Sequence, residues 1–445
     1  MNKLVILFIS LLLFSACDRN EVPTPTPEPE PTPTPAPEPE PGPEPTKAQR
    51  TVLIYMSGEN NLTKNSKYPN SSFLKNDLDE ILQGSYKLTD DQRLICFIDS
   101  VGAYNKPHII EVANGTSKEV YRFDEDFYAT DPEKFREVLK YTFDKYPADE
   151  YGLVLWGHSS GWIIHNDTVP ASSTTTATTR GYGKDEGWDT NSSARWMNIT
   201  QMVQVLETMP KLKFIFADCC NFMCVESAYE LRNCADYLIG SPAEIPGEGA
   251  PYHLIVEKLF SNSPTFYDDI CNCYYDYYLD AYYWPIYSQL ELEGYSIPLS
   301  TFRLDQMENL ANATKQLMKT FMPVYPNQLD LLNQTSELAF YFFYDSNVCY
   351  DMKNVFKQYA PEDSYNNWLE VFNTAVPYQA VSTKWWSTIP GVVIKFPSFP
   401  EDADCWGAVS MFFPQKSYNN AYFRYNERIK RLQWYNAVDW ASFGW

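Results

Sequence analysis

Short apolar runs alternate along the chain with segments of helical periodicity. The runs, rich in β-branched and aliphatic residues, lie at 51–56, 94–98, 151–156, 212–216 and 237–240. Apolar spacing predicts helices over 73–82, 132–146 and 199–209, and another beginning near Val225. Continuous apolar strands that alternate with helices are typical of a mostly parallel sheet covered on both faces. The pattern therefore predicts an α/β fold whose functional site lies where the strands end.

Two regions depart from this alternation. Residues 166–198 are rich in Thr, Ser and Gly, which predicts a long exposed loop. Beyond Leu304 the pattern becomes irregular and strongly aromatic. We therefore expect a core domain over residues 50–320 and a C-terminal α+β subdomain over residues 321–445.

The N-terminus has the features of a secretory signal. Lys3 precedes an apolar stretch that ends in Ser15, Ala16 and Cys17, and this stretch is too short to span a bilayer. It is similar to a bacterial lipoprotein signal over residues 1–17, in which the cysteine is acylated, although Phe14 replaces the usual Leu. This similarity implies a lipid anchor on Cys17 and a place in the cell envelope, at the outer membrane or the cell surface. An ordinary signal peptide with an incidental cysteine remains an alternative.

A proline-rich linker follows at residues 18–49. Proline occupies every odd position from Pro23 to Pro45, interleaved mainly with Thr and Glu. Such a segment cannot bury a core, and an extended polyproline spacer of this length would reach on the order of 70 Å. Beside an acylated cysteine, we expect it to act as a stalk.

Composition narrows the possible functions. The 445 residues include 57 acidic and 35 basic side chains, for a net charge of −22, so a nucleic-acid partner is not expected. Ten cysteines are too few for a disulfide scaffold and lack the paired spacing of a zinc site.

The segment after the third apolar run, residues 157–161, satisfies the G-x-S-x-G pattern of serine hydrolases, with Ser159 as the nucleophile. That chemistry needs an acid and then a histidine downstream. Only His165 and His253 follow Ser159, and His165 is too close to Ser159 in sequence. A serine hydrolase is therefore one candidate with an incomplete set of catalytic residues.

A second candidate chemistry uses His158 itself. The fourth run ends at residues 218–220 with Asp-Cys-Cys, and parallel strands open on the same edge of a sheet. His158 and Cys220 could therefore face each other as the acid–base and the nucleophile of a cysteine peptidase. A helix beginning soon after Cys220 would favour its thiolate. A buried structural cysteine remains the alternative.

The chain resembles the clostripain family of cysteine peptidases, whose fold is caspase-like. The resemblance extends over nearly the whole folded chain, in the family's order. The matching blocks are residues 51–62, 156–162, 216–226, 241–249, 406–414 and 435–440. The family has Asp two residues before the catalytic cysteine and Glu six after it, and Asp218 and Glu226 fit this spacing only for Cys220.

The resemblance implies roles for these residues. Cys220 would attack the peptide carbonyl and His158 would protonate the leaving amine, with backbone N–H groups of Ser159 and Cys220 forming the oxyanion hole. The family usually has Gly where Ser159 stands, so a positive φ there would be strained. Glu226 is expected to be structural. Some relatives depend on Ca²⁺, but no EF-type loop is present, so no cofactor is required by the sequence and calcium remains only a possibility.

The resemblance also implies specificity. Asp218 would lie in the pocket for the residue before the scissile bond, with Glu248 as a second acid, and carboxylates there select Arg or Lys. The alternatives are a helix cap for Asp218 and a solvated loop acid for Glu248. Peptides and proteins with basic residues would then be the substrates.

Family members are commonly cut by their own activity between the histidine and the cysteine, leaving two associated chains. Arg180 and Lys184 are the candidate positions in this chain. The non-enzymatic alternative is a surface lipoprotein that binds glycan or protein through its many aromatic side chains.

Overall fold

The computed structural model describes residues 47–64, 72–102, 105–164, 181–187, 194–279, 295–324, 340–343, 346–381, 384–386, 393–395, 405–415 and 424–445. The strands within these ranges are β1 (Ala48–Gly58), β2 (Gln92–Ser100), β3 (His108–Ala113), β4 (Thr116–Arg122), β5 (Ala148–Trp156), β6 (Tyr182–Asp185), β7 (Arg195–Met197), β8 (Leu212–Asp218), β9 (Ala235–Gly240), β10 (Tyr295–Ser296), β11 (Leu299–Arg303), β12 (Phe340–Phe343), β13 (Ser346–Asp351), β14 (Tyr378–Ala380), β15 (Lys384–Trp386), β16 (Val393–Lys395) and β17 (Ser410–Met411). The α-helices are α1 (Phe73–Gly84), α2 (Pro132–Lys145), α3 (Ile199–Leu206), α4 (Val225–Glu230), α5 (Tyr252–Ile255), α6 (Phe266–Leu279), α7 (Met307–Phe321), α8 (Met352–Tyr359), α9 (Glu362–Ala375), α10 (Tyr425–Arg428) and α11 (Gln433–Ala437).

A nine-stranded sheet organises the fold, in the order β14-β11-β9-β8-β5-β1-β2-β3-β4. Its centre, from β9 to β2, is parallel, and these strands are the ones that the apolar runs predict. Both edges are antiparallel, with β3 and β4 beyond β2 and with β11 and β14 beyond β9. The prediction of a mostly parallel α/β fold is confirmed, and the antiparallel edges are an addition to it.

Alternate residues of the central strands form two separate cores. In β1, Leu53 and Tyr55 pack with α2, α3 and α4, while Ile54 and Met56 pack with α1, α5 and α6. All four side chains are fully buried. Because both faces of the sheet are covered, each strand reads as a continuous apolar run in the sequence.

Local signals account for the helix boundaries. The Ser72 hydroxyl accepts a hydrogen bond from the Lys75 N–H at the start of α1, and Asp131 caps α2 ahead of Pro132. The helix predicted over 199–209 ends earlier, at Leu206, and the one predicted near Val225 begins there.

Residues beyond the predicted boundary at 320/321 share the core of the first part. The boundary itself coincides with the end of α7 and stays a prediction. Trp368 and Phe413 belong to the same apolar cluster as Leu53. The Ser410 N–H donates to the Met223 carbonyl at 3.0 Å, which joins β17 to the segment before α4.

The described ends of the 166–198 region form a two-stranded ribbon of β6 and β7. Tyr182 and Met197 in this ribbon are fully buried. The prediction of an exposed loop is therefore wrong for these two strands, because their apolar side chains pack into the core. Within the described ranges, none of the helices has the length and apolarity needed to cross a membrane.

Glu226 links α4 to the C-terminal part. Its side chain is fully buried, and its Oε1 accepts a hydrogen bond from the Phe412 N–H at 2.7 Å. Burial raises the pKa of this carboxyl to about 8. The structural role expected for Glu226 fits this contact.

This shift predicts a pH dependence of stability. The folded protein retains a proton on Glu226 that the unfolded chain releases above about pH 4.5, so stability falls by roughly 1.4 kcal/mol per pH unit from there to about pH 8. Glu226→Gln keeps the acceptor for Phe412 but cannot ionise. We expect its free energy of unfolding, relative to the parent, to increase between about pH 5 and about pH 8 in urea titrations of a Cys220→Ala background. Parallel pH profiles for the two proteins would contradict this prediction.

Candidate active site

Two neighbouring strands bring His158 and Cys220 to the same edge of the sheet. β5 and β8 are parallel neighbours, and Trp156 is the register partner of Asp218. His158 comes two residues after Trp156, and Cys220 comes two residues after Asp218. Both are half-buried. The two strands open on the same edge of the sheet, as the two apolar runs predict, and the facing of His158 and Cys220 stays a prediction.

Segments outside these strands orient His158. Its Nε2 lies 2.8 Å from Oδ1 of Asn61, which follows β1. The His158 carbonyl accepts a hydrogen bond from the Gly183 N–H at 2.7 Å, so β6 runs alongside. Trp196 in β7 lies with its ring centroid 6.4 Å from the imidazole. Asn61 belongs to a family-like block, but the sequence alone assigned it no role.

Cys220 lies in a loop that is paired with residues 241–245. The Ile245 N–H lies 3.4 Å from the Cys220 Sγ, and the Asn221 N–H donates to the Ala243 carbonyl at 2.8 Å. Asn221 itself has a φ of 57°. The helix that follows Cys220 begins at Val225, as the sequence predicts. That this helix favours the thiolate of Cys220 stays a prediction, and the structure places the backbone N–H of Ile245 beside the sulfur.

The neighbouring cysteines lie in different surroundings. Cys219 and Cys224 are both about 1% exposed. Burial raises the pKa of Cys224 to about 12 and that of Cys219 well above its ordinary value. Both therefore remain neutral thiols near neutral pH, whereas Cys220 is partly open to solvent.

Asp218 is the centre of a buried hydrogen-bond cluster. Its Oδ2 accepts from the Tyr252 hydroxyl at 2.7 Å and the Ala250 N–H at 3.1 Å, and its Oδ1 accepts from the Tyr274 hydroxyl at 3.0 Å. Burial raises the pKa of this carboxyl above its ordinary value, although the three donors oppose the shift. The N-cap position of α4 is occupied by Cys224, so Asp218 does not cap that helix.

Further acids surround Asp218. Glu248 is half-buried in the loop before α5. The next residue, Gly249, has a φ of 61°, and a Cβ there would lie 2.8 Å from Asp218 Oδ2. Asp77 in α1 accepts a hydrogen bond from Trp156 Nε1 at 2.6 Å and is 2% exposed, so burial raises its pKa well above the ordinary value. Asp77 was not singled out in the sequence, because it lies in an ordinary amphipathic helix.

Ser159 is not placed as a serine nucleophile would be. Its hydroxyl is buried and accepts a hydrogen bond from the Gly161 N–H at 3.0 Å. The positive φ angles of this turn are those of Gly157 (142°) and Gly161 (64°). The φ angle of Ser159 is not positive. The strain expected from a side chain at position 159 is therefore absent.

Of the other candidate residues named from the sequence, some lie outside the described residues and one lies in β6. Cys17, His165 and Arg180 lie outside the described residues. Lys184 lies in β6, and its carbonyl accepts a hydrogen bond from Asn60 Nδ2 at 2.6 Å. The following residue, Asp185, is fully buried. The Lys184–Asp185 bond is thus within a paired strand, contrary to the expectation of an accessible bond.

Comparison with known proteins agrees with this fold. The sequence profile of the clostripain family matches residues 54–445. The chain therefore belongs to the clostripain family and is a cysteine endopeptidase.

Solved structures of the same kind cover most of the chain. A secreted C11 cysteine protease from Bacteroides thetaiotaomicron, solved with an irreversible peptide inhibitor, is 25% identical with a TM-score of 0.69, over 89% of this chain and 100% of that one. An inactive zymogen C11 protease from Parabacteroides distasonis is 24% identical with a TM-score of 0.65, over 88% of this chain and 99% of that one. No curated protein matches the chain.

Proposed function

We propose that this protein is a surface-anchored endopeptidase that cleaves after Arg or Lys, with Cys220 as the nucleophile and His158 as the acid–base. The observation that carries the proposal is the register of β5 on β8, which places both residues just beyond one sheet edge. The relative solved with a bound irreversible peptide inhibitor supports a peptide substrate.

Asn61 would set the tautomer of the neutral imidazole. Because the amide Oδ1 accepts at 2.8 Å, the proton of neutral His158 lies on Nε2 and Nδ1 is left as the acceptor. Nδ1 can then take the Cys220 thiol proton as the sulfur attacks, and return it to the leaving amine when the C–N bond breaks. Water releases the acyl group from the sulfur in the second half of the reaction. Asn61 thus acts as a positioning residue.

The backbone beside the two residues can stabilise the oxyanion. Ser159 and Tyr182 form an antiparallel bridge in which the hydrogen bonds belong to their neighbours, so the Ser159 N–H is directed away from β6. With the Cys220 N–H it would form the pair of donors that acyl transfer requires. A side chain at position 159 does not obstruct this role, since its φ is not positive.

The buried acids can select a basic side chain. A carboxylate has about four acceptor positions, and described donors occupy three of those on Asp218, which leaves capacity for a substrate cation. Glu248 adds a second negative charge near the same loop. Because Asp218 is largely desolvated, an uncompensated charge on its carboxylate is costly, and an Arg or Lys side chain would relieve that cost.

Anchoring and maturation complete the proposal. Acylation of Cys17 followed by the proline-rich segment would hold the peptidase away from the membrane on a stalk. Self-cleavage between His158 and Cys220 would occur at Arg180. Arg180 is the basic residue of the polar segment at 165–180, whereas Lys184 lies in β6.

Substitution of the proposed nucleophile and acid–base tests the chemistry. We expect Cys220→Ala and His158→Ala each to lower kcat/KM on an Arg-peptide substrate by on the order of 10⁴-fold or more. Ser159→Ala keeps its backbone N–H and should retain much of the activity. Loss of activity in Ser159→Ala alone would restore the serine-hydrolase alternative.

The charge of Asp218 can be removed without changing its shape. Asp218→Asn should raise KM for Arg and Lys substrates and lower kcat/KM by about 30-fold or more, since a buried charge pair is worth at least about 2 kcal/mol. Tyr274→Phe is the matched control, because it removes one hydrogen bond from Asp218 but leaves the charge. Unchanged preference for basic residues in Asp218→Asn would show that this acid does not form the pocket.

Self-cleavage is tested by N-terminal sequencing of purified protein. The wild type should yield a second N-terminus at Gly181, and Cys220→Ala should remain one chain. Arg180→Gln should also remain one chain, whereas Lys184→Gln should still be cut. A wild type that stays intact while it hydrolyses peptides would contradict maturation at this position.

A further inference from the structure

A buried arginine in the C-terminal part of the chain lacks an acid to balance its charge. Arg428 ends α10 and is only 7% exposed. Its Nε and Nη1 atoms are buried and form no hydrogen bond with any described residue. The ion pairs found among the described residues do not include Arg428 either. Because a guanidinium keeps its proton, such a buried charge is costly unless another group compensates it.

The same fold compensates another buried guanidinium fully. Arg50 in β1 is 1% exposed and forms an ion pair with Glu150. Its Nη1 also donates to the carbonyls of Leu259 and Ser261, at 2.7 and 3.1 Å. Within the described ranges, Arg428 has neither an acid nor a carbonyl in this role. Its surroundings are therefore incomplete without a further group that accepts hydrogen bonds.

The charges nearest to Arg428 have the same sign as its own. Burial lowers the pKa of its guanidinium, and the positive charges of Arg424 and Arg431 add to this lowering. Both of these arginines are exposed. Glu427, an acid of the same helix, pairs with Lys430 at 3.0 Å. Positive charge therefore extends from Arg428 to the surface in a chain of net charge −22, and this local excess attracts anions.

We propose that Arg428 binds a carboxylate ligand, and that Arg424 and Arg431 attract this anion to the site. The planar guanidinium matches a carboxylate, to which it can donate two parallel hydrogen bonds. A singly charged carboxylate is easier to desolvate than a phosphate dianion, and the acidic chain repels it less. The C-terminus of a peptide and a free organic acid both present this group.

The activity of the protein itself supplies ligands of this class. Hydrolysis of a peptide bond by an endopeptidase releases a product with a new C-terminal carboxylate. The proposed site lies apart from His158 and Cys220, and binding there does not require the peptidase reaction. Its test can therefore fail while the proposed catalytic pair holds, and the reverse is also true.

Aromatic packing connects the site to the segment that follows His158. The Arg428 Cζ lies 5.9 Å from the centroid of the Tyr425 ring. The Tyr425 ring in turn lies 6.3 Å from that of Trp162, which comes four residues after His158. A carboxylate on Arg428 would fix the guanidinium over Tyr425 and so stabilise this contact of α10 with Trp162.

Carboxylate binding is tested on the full chain in a Cys220→Ala background, so that self-cleavage cannot interfere. N-acetylglycine represents a peptide C-terminus, acetate a free organic acid, and N-acetylglycinamide is the uncharged control. We expect saturation-transfer NMR to give a Kd on the order of 1 mM for N-acetylglycine. At roughly 20 mM, N-acetylglycine should raise Tm by about 2 °C over chloride at equal ionic strength. An equal effect of acetate would show that the carboxylate alone is recognised, and a smaller one that the peptide group contributes. The amide should change neither measurement.

Three variants locate the binding. Arg428→Met removes the charge and keeps most of the volume, so it should abolish the response to N-acetylglycine without lowering Tm in chloride. Arg122→Met is the matched control, because Arg122 is exposed and paired with Glu119 in β4, and it should respond like the parent. Arg424→Gln removes an exposed charge and should weaken binding by roughly 2- to 5-fold even if Arg428→Met does not fold.

Two outcomes would overturn the proposal. The first is a parent protein that N-acetylglycine stabilises no more than chloride does, including the case in which inorganic phosphate alone raises Tm. The second is binding of N-acetylglycine that neither Arg428→Met nor Arg424→Gln weakens, since the carboxylate would then bind elsewhere.

Discussion

The parallel register between β5 and β8 is the constraint on which the site depends. It pairs Trp156 with Asp218, and both side chains are then fixed from the same face of the sheet: Trp156 donates to Asp77 of α1, and Asp218 accepts from Tyr252 and Tyr274. A slip by one residue would turn each side chain to the other face. Because these buried polar contacts would then be lost, the register is strongly specified, and so are the positions of His158 and Cys220.

The sequence predicts the centre of the fold well and its edges poorly. Strands buried on both faces, such as β1 and β8, are continuous apolar runs that local pattern can identify. β4 is largely exposed and polar, and β14 is short, so their pairing depends on neighbours that are distant in sequence. The same limit applies to β6 and β7, whose strand character comes from packing of Tyr182 and Met197.

The residues of the candidate site divide in the same way, into those that the sequence pattern indicates and those that only the folded structure reveals. His158, Cys220 and Asp218 come directly after apolar runs, where topology alone places them at one edge of the sheet. Asn61 and Asp77 are polar residues of common types, and nothing in the sequence indicates which residues they contact. Asn61 contacts a histidine 97 residues away, and Asp77 meets an indole 79 residues away. Only the folded chain shows these contacts, so they could not be derived from spacing.

The contacts of β6 explain how a cut chain could stay assembled. Cleavage at Arg180 would leave β6 on the second chain, with its N-terminus at the paired strand. Asn60 holds the Lys184 carbonyl, the His158 carbonyl accepts from Gly183, and Asp185 faces Glu59 and Asp99. All of these partners belong to the first chain. Because β5 and β8 would also lie on different chains, their shared register adds the largest interface between them, and the cut would not separate His158 from Cys220.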